Sequence, residues 1–138
     1  MTEPVSKDPE RRLLDALGHD IGRRELFLEA ITHRSYLNEV EPPAGAPPLK
    51  DNERLEWLGD AVIDMVVSEE LMRRFPAARE GQLSRMRAAI VHEGALARLA
   101  RAIHLGAALR LGRGEDRSGG RDRAALLADA FEALIAAV

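Results

Sequence analysis

Cysteine is missing from this 138-residue chain, which excludes disulfides and thiolate-bound metals. No apolar run approaches the roughly 20 residues that a helix needs to cross a bilayer. The first twelve residues, MTEPVSKDPERR, are polar and lack the apolar stretch of a secretory signal, so a cytoplasmic location is the expectation. Aromatic residues are scarce at 4%, leaving little with which to stack unpaired bases. Apolar and polar residues nowhere alternate long enough to suggest a strand, and no segment repeats. The net charge of −3 weighs against a nucleic-acid partner, because most such domains are basic.

The distribution of charge tempers that last exclusion. Residues 71–101 carry seven arginines against two acids, Glu80 and Glu93. Clustered arginine binds phosphate whatever the total charge, although the same pattern also describes a solvated basic helical face. If nucleic acid is the ligand, a duplex read by backbone and shape suits the shortage of aromatics.

What the chain does contain is helical spacing. Its length and 46% apolar content suit one soluble domain with a real core. Asp8 and Pro9 read as an N-cap and first-turn proline of a helix carrying Leu13, Leu14 and Leu17 and stopping near Gly18. A second helix is expected over residues 23–33. The four prolines within residues 41–51 make that stretch a loop. Asp51 or Asn52 should cap the longest helix, ending before Pro76. Its Leu55, Leu58, Val62, Met65 and Val66 predict a central, largely buried element. Gly59 inside it costs about 1 kcal/mol relative to alanine. It is either a tolerated glycine or the mark of another backbone close by. Helices over residues 82–91 and 94–103, a mobile-looking loop over 112–121 and a last helix from about Asp122 complete an all-α domain.

Two acidic pairs interrupt the apolar helices: Glu56 with Asp60, and Asp129 with Glu132. Residues three or four apart share a helix face, and like charges there repel by about 0.2–0.5 kcal/mol per pair. Either each pair is a wet stripe on an amphipathic helix, or together they hold a cation. Carboxylates without His or Cys favour Mg²⁺ or Mn²⁺ over Zn²⁺, and such ions serve phosphodiester hydrolysis. His92-Glu93 begins like a zinc-protease helix, but Leu96 stands where the second histidine belongs. The glycines of residues 112–120 complete neither GxGxxG nor a P-loop. The four histidines show no paired ligand spacing, so none is expected to be catalytic.

The stretch NERLEWLGDAV at 52–62 resembles the signature of the ribonuclease III family, with Trp57 where the family usually has Phe. The segments ITHRSY at 31–36, EGQLSRMRAAIV at 80–91, LRLGRGEDRSGG at 109–120 and LLADAFEALIAAV at 126–138 resemble further family segments in the same order. The resemblance runs from about Leu13 to Val138. It implies the family's all-α endonuclease-domain fold, a dimeric helical bundle, over residues 1–138, and Mg²⁺-dependent cleavage of double-stranded RNA, with Mn²⁺ able to substitute. The products would carry 5′-phosphates and short 3′ overhangs. By motif position, Glu56, Asp60, Asp129 and Glu132 would bind the metal, with Asp60 and Glu132 the catalytic pair. Glu53 and Glu80 match supporting acids, and Asn52 and Arg54 look structural. Trp57 stands where the family inserts an aromatic into a socket on the partner subunit of a homodimer; an intrachain core position is the alternative. The arginines of residues 73–101 and 113–123 are candidate phosphate contacts.

Bacterial members normally continue into a double-stranded-RNA-binding domain, whereas this sequence stops at Val138. A shortened form of the ordinary enzyme is the expectation. His92 also departs from the small polar residue common at its position. A non-catalytic dimeric RNA-binding or ribosome-associated scaffold would share the fold, but such relatives usually lose one or more of the acids that are intact here.

Overall fold

A computed structural model describes residues 7–138, so the polar start at residues 1–6 lies outside the described residues. The helices are α1 (Pro9–Leu17), α2 (Arg24–Ala30), α3 (Arg34–Leu37), α4 (Glu53–Arg74), α5 (Glu80–Ile90), α6 (Glu93–Ala102), α7 (Leu105–Ala108), α8 (Arg113–Arg117) and α9 (Ala124–Ala137). A 3₁₀ turn at Gly120–Asp122 leads into α9. Among the described residues the only β-type pairing is an isolated bridge between Thr32 and Arg110. No helix among them is long and apolar enough to cross a membrane.

The element at the centre is α9, not α4. Its Leu127, Ala128, Ala130, Ala133, Leu134 and Ala137 are all buried, because neighbours cover most of its circumference: α4 on one side, α6 on another, and α2. Leu127 and Leu134 join Leu13, Phe27, Ile31 and Leu105 in the main core. A smaller cluster of Ala30, Leu55, Ala133 and Ala137 lies between α2, α4 and α9. Along α4 only Leu55, Gly59 and Leu71 are buried. Leu58, Met65, Val66 and Met72 are exposed, contrary to the largely buried helix its spacing predicts. The apolar residues of α4 span two faces, and one packed neighbour covers only one of them.

Local chemistry sets the ends. Asp8 caps α1 by accepting the Glu10 N–H, and Gly18 closes it in the left-handed conformation. The helix expected over residues 23–33 breaks after Ala30. The Thr32 hydroxyl turns back to the Leu28 carbonyl, the Thr32 carbonyl accepts the Asn52 N–H, and Arg110 pairs with the backbone on either side. His92 accepts the Ala95 N–H through Nδ1, so the residue that departs from the family's small polar position still caps α6. The stretch 112–121 is folded rather than a loose loop. Glu39 accepts the Arg113 N–H at the start of α8, and Arg121 reaches Asp116 and the carbonyls of Gly106 and Leu109.

Candidate active site

The seam between α4 and α9 is built on a glycine. A Cβ at Gly59 would overlap the carbonyl group of Glu132, so the two backbones touch there. Of the two readings of Gly59, close backbone approach is the one the fold uses. This contact sets Asp60, next to Gly59, and Glu56, one turn earlier, alongside Asp129 and Glu132. Asp60 is exposed, and the other three are half-buried.

The surroundings of the four acids hold them above their ordinary proton affinities. Burial pushes the Glu132 carboxyl up to about 7, with Asp60, Glu56, Asp129 and Asp64 adding to the effect in that order. Glu56 is raised by burial and then by Asp129 and Glu53, with a hydrogen bond to Asp129 contributing. Asp129 is raised by burial and by Glu93, while its hydrogen bond with Glu56 and the nearby His33 pull it down. Among the described residues none of the four makes an ion pair. Crowded, half-buried carboxylates without a cationic partner are an arrangement that a divalent ion relieves.

The donor chemistry fits a hard cation: all oxygen, high negative charge and no competing arginine or lysine. The side chains do not form a closed cage. Among the described residues no three His, Asp or Glu groups are gathered so as to hold an ion as they stand. Glu56, Asp60, Asp129 and Glu132 must therefore turn inward to share one.

The supporting acids divide. Glu53 sits at the start of α4, close enough to influence Glu56, and pairs with Arg34 at 3.7 Å. Glu80 lies on α5, where it accepts the Ser84 hydroxyl at 2.7 Å, and it does not figure among the charges that perturb the four. Asn52 is structural in an unexpected way. Buried, it donates Nδ2 to the Ala30 carbonyl at 3.2 Å, while Asp51 accepts the Glu53 N–H. Arg54 is exposed and borders a groove with Lys50, Trp57 and Leu58. Trp57 is 78% exposed, which removes the core alternative.

Three residues near the acids were missed by spacing: Asp64, Glu93 and His33. Asp64 stands one turn beyond Asp60, a signal that was present in the sequence. Glu93 and His33 arrive through tertiary packing that no local pattern encodes.

The candidate phosphate contacts are thinned by their partners. Arg73 and Arg74 hold Glu70, Arg87 donates to Ser68, and Arg101 pairs with Asp122. Arg121 and Arg123 bind Asp116 and Glu115. Arg79, Arg85, Arg98, Arg113 and Arg117 are exposed cations outside those pairs.

An all-helical domain with an unpaired carboxylate seam between its two principal helices defines a class of acidic-site folds, and comparison with known proteins gives the family. The ribonuclease-III-like family model matches residues 23–138. The chain is 51% identical over 130 residues to ribonuclease 3 of Nitratidesulfovibrio vulgaris, covering 94% of this chain and 49% of that protein. It is 48% identical over 137 residues to ribonuclease 3 of Myxococcus xanthus, covering 99% and 51%. A structure of the nuclease domain of ribonuclease III from Campylobacter jejuni superposes with a TM-score of 0.80 at 36% identity, covering 91% of this chain and 81% of that one. The chain belongs to the ribonuclease-III-like family. It spans about half the length of the curated relatives it matches.

Proposed function

We propose that this domain is the catalytic unit of an endoribonuclease that hydrolyses double-stranded RNA with Mg²⁺, or Mn²⁺ in its place. The products carry 5′-phosphates and short 3′ overhangs, and the role is RNA processing and maturation in the cytoplasm. The observation that carries this reading is the α4–α9 seam, where Glu56, Asp60, Asp129 and Glu132 crowd without a cationic partner. Those four would hold the ion, with Asp60 and Glu132 nearest the chemistry. A divalent ion there supplies a hydroxide from water and stabilises charge on the cleaved phosphate. The chain's own part is to concentrate negative charge and to keep Glu132 near a proton affinity of about 7, suited to exchanging a proton at neutral pH. Glu53 contributes charge beside Glu56. Glu80, which lies apart in this chain, is assigned a supporting role at the rim.

The working form is a homodimer. The exposed Trp57, Leu58, Met65, Val66 and Met72 form an apolar strip that one chain leaves uncovered, and a groove of ≈ 630 Å³ borders it. The Campylobacter jejuni structure is described in terms of a region involved in dimer formation, which supports the same assembly here. The exposed arginines supply sequence-independent phosphate contacts.

The test is cleavage of end-labelled duplex RNA at low salt, with and without Mg²⁺, beside Glu132→Gln. Metal-dependent cuts bearing 5′-phosphates, lost in the variant, are expected. An intact dimer that binds duplex RNA and never cuts it would favour the scaffold reading.

A further inference from the structure

The segment at 31–36 is used almost completely by the fold. Thr32 bridges to Arg110, and Arg34 pairs with Glu53. Ser35 accepts the Gly112 N–H, and the Tyr36 hydroxyl accepts from Arg110, whose guanidinium lies 4.5 Å above its ring. These contacts stitch the α2–α3 turn to the strand-like stretch before α8. His33 is half spent. Its Nδ1 accepts the Ser35 N–H at 3.2 Å and lies 2.7 Å from Ser35 Oγ. Ser35 Oγ already accepts the Gly112 N–H at 2.9 Å, leaving its own proton to point at Nδ1. With Nδ1 an acceptor twice over, the ring proton belongs on Nε2, and no hydrogen bond of the fold uses that N–H.

The backbone fixes where this ring stands. The His33 N–H donates to the Arg110 carbonyl at 3.0 Å, and the preceding carbonyl of Thr32 accepts the Asn52 N–H at 2.9 Å. The following residue, Arg34, reaches Glu53 at 3.7 Å. His33 is thereby held from both sides against the first turn of α4, at the edge of the acidic seam. Asp129 registers it there: the His33 ring opposes the upward effect of burial and Glu93 on that carboxyl.

We propose that His33 is a positioning residue of the acidic centre, its Nε2–H held in that tautomer by Ser35 and donated to Asp129 so that the carboxylate's free lone pairs face the ion. Carboxylates that ligate metals are commonly hydrogen-bonded by an outer group, and losing that group weakens binding by about 10–100-fold. The inference rests on the metal-dependent reading above and goes beyond it by assigning a side chain that spacing gave no role.

Two substitutions separate the two halves of the ring. His33→Asn keeps an acceptor at the Nδ1 position, so α3 stays capped, but removes the distal donor. His33→Gln places an amide N–H near the Nε2 position. Mn²⁺ binding, followed by the free-ion paramagnetic resonance signal, should weaken at least tenfold in His33→Asn and recover most of that loss in His33→Gln. Melting temperature and dimer content should match the parent in both. Unchanged Mn²⁺ affinity in His33→Asn overturns the proposal. So does an equal loss in both variants, which would leave His33 as the cap of α3 alone. If the parent chain takes up no Mn²⁺, the metal-dependent reading itself fails and this inference falls with it.

Discussion

Replacing Gly59 with alanine sets two known effects against each other, and the structure decides which prevails. In a solvent-facing helix the change should stabilise by about 1 kcal/mol, the difference in helix propensity. At Gly59 the new methyl would overlap the carbonyl oxygen and carbon of Glu132 and lie 3.1 Å from its Cα. The obstacle is helical backbone, which has no rotamer to escape into. The helices must part by on the order of 1 Å, a kind of overpacking that costs about 1–3 kcal/mol or more. Separation also loosens Leu55 against Ala133 and Ala137, adding lost contacts on the same side of the balance. The net expectation is destabilisation by about 1–2 kcal/mol, read by urea unfolding at a fixed protein concentration with helix circular dichroism as the signal. Gly81→Ala is the control. A Cβ there meets only the tip of Arg85 at 3.8 Å, so stability should hold or rise slightly. A Gly59→Ala protein as stable as its parent would refute the close contact of α4 and α9, and with it the placement of Asp60 beside Glu132.

Three further outcomes are expected. Glu132 has a folded-state proton affinity raised from 4.5 to about 7, so its ionisation costs the fold nothing below about pH 4.5 and progressively more as pH rises through 7. Metal-free Glu132→Gln should therefore be more stable than the parent at pH 8 by about 1–2 kcal/mol, allowing for screening by water, and equal to it near pH 4; an unchanged difference across that range would count against the crowding argument. Trp57→Ala should shift the dimer toward monomer by at least about 2 kcal/mol, visible by sedimentation at micromolar concentrations, while each subunit keeps its helix content. Arg121→Ala should cost about 2–3 kcal/mol in unfolding experiments, because the carbonyls of Gly106 and Leu109 and the Asp116 carboxylate lose one shared partner.

The all-α class and the acidic pairs were legible because they depend on spacing within one helix. Glu56 with Asp60, and Asp129 with Glu132, share faces through helical geometry alone. That the two pairs meet is a matter of packing, and its one local trace was Gly59. Elsewhere long-range bonds overrode local pattern. The helix expected through His33 stops early because Thr32 and its neighbours bond to Asn52 and Arg110. The glycine-rich stretch after Leu111 folds because Glu39 and Arg121, distant from its middle in sequence, satisfy its backbone. The expectation of a buried α4 failed because apolar spacing states that a face needs cover, not whether the same chain supplies it. Trp57, Met65 and Met72 are exposed for that reason. Charge counting likewise listed arginines without their partners, and the pairs with Glu70, Asp116, Asp122 and Glu115 came from the fold.

The central claim is that crowding on the α4–α9 seam exists to be relieved by a divalent ion, and the proton count on binding tests it most directly. Titration calorimetry with Mg²⁺ at pH 7, repeated in buffers of different ionisation enthalpy, gives the protons released per ion bound. With Glu132 near 7, about half a proton should leave it at that pH, falling toward none by pH 9, and Glu132→Gln should abolish that release. Binding with no proton release at pH 7, or the same release in the variant, would contradict the account.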